Sequence, residues 1–433
     1  MSDGANGWKQ FYDVATLSDV GMRRATNQDN LAVSMASNFD YWKKHGHLLL
    51  VADGMGAHAA GELASKLAAD NIPHLYNKYN DLSAPEALKR AVIDANAEIN
   101  RRGQANEDFY NMGTTCSVMT LLPQGAVLAH VGDSRIYRLQ KNKLEQLTYD
   151  HSLVWEMRAT GQFGEDTAAN VVPKNVITRS LGPYPDVKVD MEGPFPVEVG
   201  DVFLLCSDGL TGQVSDEEIG GILANLSPKE AARVLVDLSN LRGGPDNITV
   251  VVAKVLHPEV ATTLSGSNPI TIGSNPNRGK INPLFWALLI ASIVGTFVCL
   301  FVTGVYSALV PGAIALLCLA WLVFQMSGLA SGGTAVTAGK RFGKGPYVRV
   351  NCDSTEEFNR KLKVLVDELC DELSVAIDGD DKKINEFYEK ANKASESGDH
   401  RTATAEFSRL ISHLMQRIRD SHNRKSSESH IDL

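Results

Sequence analysis

Four aspartates in this chain each close or precede a short apolar run. Asp53 follows Leu48-Leu49-Leu50-Val51-Ala52, Asp133 follows Val127 to Gly132, Asp208 follows Val202 to Ser207, and Asp246 stands just before Ile248 to Val255. One Asp-Gly pair, such as Asp53-Gly54 or Asp208-Gly209, is most simply a tight turn, because both residues tolerate the backbone angles required. Repetition asks for another reason. Carboxylates gathered at the tips of buried strands repel one another unless a cation lies among them, which points to a divalent-metal site. An all-oxygen ligand set favours magnesium or manganese over zinc. Upstream, Gly21-Met22-Arg23-Arg24 precedes Asn27-Gln28-Asp29, placing a guanidinium close before another carboxylate. A planar guanidinium can grip two phosphate oxygens at once. On this local pattern alone, Arg24 could equally be a surface arginine in a turn.

The elements that must position these residues are legible as periodicities. His47 to Val51, Thr115 to Leu122, Ala126 to Val131, Val202 to Leu205 and Ile248 to Val255 have the length and composition of strands. Ala59 to Tyr76 and Pro85 to Arg101 carry apolar residues at helical spacing. Ser83 and Ser227 each stand three residues before a glutamate, Glu86 and Glu230, which predicts helix caps, the second opening a helix to Leu241. Strand runs interleaved with helical periods predict layers of sheet and helix.

The chain has 433 residues, enough for two or three domains. A net charge of −9 with 21% charged residues offers no basic footprint, so nucleic acid is excluded as a partner. Six cysteines without CxxC spacing read as reduced thiols. Met1 to Gln10 has no apolar core region and is no secretory signal, so synthesis is expected to begin in the cytosol.

Composition divides the chain further. After residues 1–256, residues 257–282 are rich in Thr, Ser, Gly, Asn and Pro and read as a linker. Leu284 to Val302 and Ala308 to Met326 are apolar and uncharged, so 283–327 is expected to form two transmembrane helices that contact membrane lipid. Trp286, Tyr306 and Trp321 suit its interfaces. Arg278 and Lys280 precede the pair, and Lys340, Arg341 and Lys344 follow it. This bias places both termini in the cytoplasm of a two-span protein of the cell membrane; a buried hairpin in a soluble protein is the alternative. Residues 328–346 form a second, Gly- and Ala-rich linker, 347–420 a helical C-terminal region, and 421–433 a disordered tail. Phe387, Ala391, Ala394, Ala403 and Phe407 are spaced like one tetratricopeptide unit, or like an ordinary helical hairpin, and either could dock a partner.

Read in order, the motifs resemble those of the metal-dependent protein phosphatase family (PPM), called protein phosphatase two C in eukaryotes, in its bacterial type. They are Gly21 to Asp29, Val51-Ala52-Asp53-Gly54-Met55-Gly56, Met112-Gly113-Thr114-Thr115, His130-Val131-Gly132-Asp133-Ser134-Arg135, Leu147-Thr148 with Asp150-His151-Ser152, Cys206-Ser207-Asp208-Gly209-Leu210 and Gly244-Pro245-Asp246-Asn247-Ile248-Thr249. Any one is weak, but their order is specific. The resemblance implies an α+β fold, a four-layer α-β-β-α sandwich of two antiparallel sheets flanked by helices. It implies that Asp53 bridges two metals, that Asp208, Asp246 and the Gly54 carbonyl are ligands, and that Asp133 serves a third, weaker metal. It also implies that Asp29 holds metal-bound water, that Arg24 grips phosphate, and that Ser152 to Ser180 is a flap. The implied activity is hydrolysis of phosphoserine and phosphothreonine, on proteins modified by a Ser/Thr kinase, by water activated between two Mn2+ or Mg2+ ions. Gln28, Met55 and Gly212 replace a Glu, a proposed acid His and a metal-binding Asp found in other members; His58 nearby is expected to be structural. A catalytically inactive phosphoprotein-binding module and a hydrolase of small phosphate esters are the alternative functions.

Overall fold

Side-chain alternation decides the layering. On the strand His47–Met55, Leu48, Leu50 and Ala52 join one core cluster, while Leu49 and Val51 join another. A strand presents successive side chains to opposite faces, so an unbroken apolar run must be covered on both. The same division separates Val202, Leu204 and Cys206 from Phe203 and Leu205.

The structure, a computed structural model, describes residues 7–56, 59–159, 176–262, 270–271, 283–302, 310–313, 315–317, 335–336, 342–374 and 382–428. Its principal elements begin with β1 (Tyr12–Asp19), β2 (Asp29–Ser34), α1 (Phe39–His45), β3 (His47–Met55), α2 (Ala60–Lys78) and α3 (Ala84–Ala105). Then come β4 (Cys116–Leu122), β5 (Gly125–Val131), β6 (Arg135–Gln140), β7 (Lys143–Gln146), α4 (Leu153–Ala159), β8 (Asp190–Phe195) and β9 (Val202–Cys206). They continue with α5 (Asp208–Thr211), α6 (Asp216–Asn225), α7 (Pro228–Leu241), β10 (Ile248–Val255) and α8 (Pro283–Val302). The last are β11 (Val348–Asn351), α9 (Glu356–Ser374), α10 (Lys382–Glu396) and α11 (His400–Glu428).

One antiparallel sheet runs β1-β10-β9-β6-β7-β11 and the other β2-β3-β4-β5-β8. Leu49, Val51, Met119 and Leu128 of one meet Phe203, Leu205 and Val251 of the other in the inter-sheet core. Outside it, α2 and α3 cover the second sheet, and α6 and α7 cover the first. The four expected layers are present.

Local chemistry accounts for the covering helices. Ser227 and Glu230 close a reciprocal capping box at the start of α7, with Pro228 in its first turn, satisfying amide donors that a helix start leaves open. Ser215 and Glu218 do the same for α6, a helix that the pattern of apolar residues does not announce. Nor does that pattern announce β1, β2 or the β6–β7 hairpin, whose turn puts Lys141 and Asn142 at positive φ. Their polar residues hide the apolar alternation: Arg138, inside β6, is buried because Glu145 of β7 and the Pro196 carbonyl receive its guanidinium. Asp53 does not follow its strand but lies within it, paired in register with Asp29.

Pro283–Val302 is a helix of 20 residues, whose side chains are described for 289–298 and 300–302. Among the described residues no helix is long and apolar enough to cross a membrane. The expected two spans are therefore not present among the described residues, and most of Ala308 to Met326 lies outside them.

The C-terminal region is not separate from the sandwich. β11 adds to β7 at the sheet edge, and Gly220 and Gly221 of α6 let it press close. A Cβ on Gly220 would stand 2.1 Å from Cys352 Sγ, and one on Gly221 would stand 2.6 Å from the Phe358 ring. Glycines inside a helix each cost up to about 1 kcal/mol relative to alanine, and here the cost is explained by the close approach. α9, α10 and α11 share one apolar cluster with Leu241 of α7 packed against it, and α10 turns into α11 at Gly398. The tail expected to be disordered from 421 is instead helical through Glu428, because extending an existing helix needs no new nucleus. Residues 429–433 lie outside the described residues.

Candidate metal centre and phosphate cleft

The two sheets bring their acids to one end of the sandwich. Asp53 and Asp133 come from β3 and from the turn after β5, whereas Asp208 opens α5 directly after β9 and Asp246 precedes β10. Asp29, the first residue of β2, faces Asp53 across the ladder and accepts a hydrogen bond from Ser207 Oγ at 2.7 Å. The Asp53 amide donates to Thr115 Oγ1 at 2.9 Å, and its carbonyl accepts from the Thr115 amide at 2.8 Å. Gly54, buried beside it, donates its amide to the Gln28 carbonyl at 3.2 Å.

Burial pushes the Asp29 carboxyl up to about 7, against the opposing hydrogen bonds from Ser207 and Thr249. Burial also raises Asp133 to about 8 and raises Asp208, with neighbouring acids adding to both. Asp53 is held well above the usual carboxylate range by burial first, then by Asp29, Asp208, Asp133 and Asp246. The five carboxylates form one electrostatic unit.

Asp29 Oδ1, Asp133 Oδ1 and Asp208 Oδ1 are buried with no hydrogen-bond donor, a costly state for an acceptor. Among the described residues no three His, Cys, Asp or Glu side chains are already arranged to hold a metal ion. Yet orphaned oxygens, mutual repulsion and an oxygen-only donor set fit a hard divalent cation.

Arg24 lies at the mouth, its Nη2 donating to Asp246 Oδ2 at 2.7 Å. It lines a cleft of about 520 Å³ together with Asp133, Arg135, Asp208 and Asp246, under Trp155 of α4. Of the expected flap, residues 160–175 lie outside the described residues, as does His58. Met55 and Gly212 are described, and Gly212 lies on the cleft wall.

Sequence reasoning gave no role to three further residues that hold the site. Asn247 accepts from the Gln28 amide at 2.8 Å and donates to the carbonyls of Val20 at 2.9 Å and Thr26 at 3.0 Å, stapling the Arg24 loop to β10. Ser207 joins Asp29 to the Thr249 amide. Arg135, half-buried in the cleft wall, pairs with Asp150 at 2.8 Å and reaches the Tyr137 hydroxyl at 2.9 Å. Polar residues next to an acid in an otherwise apolar run were the available signal.

The raised carboxyl pKa values carry a pH prediction. In the metal-free protein, acids whose folded pKa lies above the unfolded value stabilise the fold at low pH, and that contribution is lost as pH rises through about 7 to 8. A divalent cation offsets the repulsion that then appears. Manganese should therefore raise Tm more at pH 8 than at pH 6, in thermal scans against chelator. An equal increment at both pH values would contradict it.

Residues 23–238 match the family model for protein phosphatase 2C. The chain is 38% identical over 243 residues to a putative protein phosphatase 2C-type protein of Streptococcus pyogenes, covering 55% of this chain and 96% of that protein. It is 37% identical over 242 residues to the serine/threonine phosphatase stp of Listeria welshimeri, covering 55% and 93%. The crystal structure of the serine/threonine phosphatase PstP/Ppp of Mycobacterium tuberculosis superposes with a TM-score of 0.51 at 34% identity, over 57% of this chain and all of that one. Similarity of this extent spans nearly the whole of each relative: the chain belongs to the protein phosphatase 2C family and is a protein-serine/threonine phosphatase.

Proposed function

We propose that this chain is a membrane-anchored phosphatase that uses divalent metal to hydrolyse phosphoserine and phosphothreonine in proteins phosphorylated by a Ser/Thr kinase. The observation that carries the chemistry is the meeting of two orphaned, buried carboxylate oxygens, those of Asp133 and Asp208, with Arg24 in one cleft. Asp53, Asp208, Asp246 and the Gly54 carbonyl would hold two Mn2+ or Mg2+ ions, and Asp133 a third. A bound divalent cation supplies positive charge and lowers the pKa of water. The chain's own residues do the rest. Arg24 leaves Asp246 to take two phosphoryl oxygens, offsetting charge that grows on them during displacement. Asp29, fixed by Ser207, accepts a hydrogen bond from the attacking water and so orients it toward phosphorus.

The membrane reading is supported by the described apolar segments. Val294, Phe297, Val298, Phe301 and Val302 of α8, with Val310, Leu316 and Leu317 beyond it, are exposed hydrophobic side chains. A Cβ on Gly295 would stand 3.6 Å from Pro311, and one on Gly312 would stand 3.7 Å from Thr296, so the two segments lie side by side. Contiguous exposed apolar surface of this kind marks contact with lipid or protein. The flanking basic residues favour cytoplasmic placement of both termini.

One experiment tests both parts. The full chain, expressed in a bacterium, should sediment with membranes, require detergent for release, and liberate phosphate from a phosphothreonine peptide only with manganese or magnesium. Turnover undiminished by chelator would sink the metal, and recovery in the detergent-free supernatant would sink the anchor. Preference for a free phosphate ester over the peptide would favour the small-ester alternative.

A further inference from the structure

The C-terminal helices meet the catalytic domain at a point that bears on the cleft. Arg419 of α11 places Nη2 3.2 Å from Asp19 Oδ2 and 3.1 Å from Asp237 Oδ1. Asp19 ends β1 and Asp237 lies in α7, where it is almost fully buried. A carboxylate so buried needs a cation nearby, and Arg419 supplies one.

Asp19 opens one loop into the site, and α7, which carries Asp237, ends in the other. Asp19 Oδ1 accepts from the Gly21 amide at 2.9 Å and from Asn240 Nδ2 at 3.2 Å, and the Met22 amide donates to the Gly244 carbonyl at 2.8 Å. Gly21, at φ +80°, is pressed so near that a Cβ would stand 2.2 Å from the Asp246 carbonyl. The loop after β1 and the loop after α7 are thus bound to each other along their length, and they end in the Arg24–Asp246 pair at 2.7 Å.

We propose that Arg419 is a positioning residue for the phosphatase reaction: through Asp19 and Asp237 it sets the two loops that carry Arg24 and Asp246, so that the docked C-terminal region tunes phosphate binding. The inference rests on the phosphatase reading above. Any partner or modification that lifts α11 would act on the cleft by the same route, without touching it.

The control is built into the same helix. Arg409 also ties α11 to α7, with Nε 2.9 Å from Glu230 Oε1, but at the capping box, the opposite end of α7 from the loop that carries Asp246. In the full chain with manganese, Arg419→Gln should lower kcat/KM for a phosphothreonine peptide about tenfold, chiefly through KM, since small misplacements of a binding group cost this much. Asp19→Asn should do the same and the double variant no more, Arg419→Lys should recover part, and Arg409→Gln should leave kcat/KM within about twofold. Hydrogen exchange gives a reading independent of turnover: the Gly21 and Met22 amides should exchange faster in Arg419→Gln than in wild type or Arg409→Gln. Unchanged exchange and kinetics in Arg419→Gln would overturn the link while leaving the phosphatase reading standing, as would an equal loss in Arg409→Gln. A wild-type chain without turnover would overturn the phosphatase reading itself, and the exchange comparison would still decide whether α11 holds the loops.

Discussion

Asp208→Asn should reduce phosphate release by at least about a thousandfold, with the protein folded and, without metal at pH 8, more stable than wild type. The two effects have one origin. Asp208 Oδ1 is buried without a donor, and its carboxyl is raised by burial first and then by Asp246. Asparagine keeps the shape, removes one charge from five mutually repelling acids, and so relieves the metal-free fold. The same change removes a proposed charged oxygen ligand, and a loss of about a thousandfold corresponds to about 4 kcal/mol of transition-state stabilisation. Steady-state phosphate release with saturating manganese, beside Tm with and without manganese, reads both. The variant should also lose most of the Tm increment that manganese gives the wild type. Near-normal turnover would remove Asp208 from the metal set, and a fall in metal-free Tm would show that its role is structural.

Arg24→Ala should lower kcat/KM for a phosphothreonine peptide on the order of a hundredfold to a thousandfold, and should weaken product inhibition by inorganic phosphate. Arg24 is about half exposed, and among the described residues it pairs with Asp246, a carboxylate proposed as a metal ligand. An exposed pair contributes little to stability, so the fold should tolerate the change. A guanidinium on phosphoryl oxygens, by contrast, strengthens its hold as their charge grows. Arg24→Lys should recover only part, because an ammonium offers a point charge without the planar fork. A loss below about threefold in Arg24→Ala would mean that Arg24 serves only as counter-ion to Asp246, and the phosphate grip would have to be sought at Arg135 or Arg158, the two other arginines that line the cleft.

The role inferred for Arg419 changes how the C-terminal region is understood. From its sequence it is a helical appendage beyond two linkers. In the structure it supplies a strand to the first sheet, fills the space left by two glycines in α6, and reaches the root of the Arg24 loop. A region that shares sheet and core with the enzyme is placed to regulate it through geometry as well as through partner docking.

Local features of the site can be read directly from the order of residues. Strands such as Leu48 to Ala52 and Ile248 to Val255 were legible because a strand buried on both faces must be apolar at every position. The acids at their ends were legible because each interrupts such a run within one or two residues. The tertiary structure decided which ends meet. Arg24 and Asp246 lie 222 positions apart, and Asp53 and Asp208 come from different sheets, so their convergence depends on strand order and inter-sheet packing, which leave no trace in local spacing. The same reason hides the edge strand β1, the hairpin around Lys141 and Asn142, and the Asn247 staple: each is polar in sequence and becomes intelligible only through a partner far along the chain. Gly220 and Gly221 look like helix breakers in sequence, and only the tail lying against them explains why the helix keeps both.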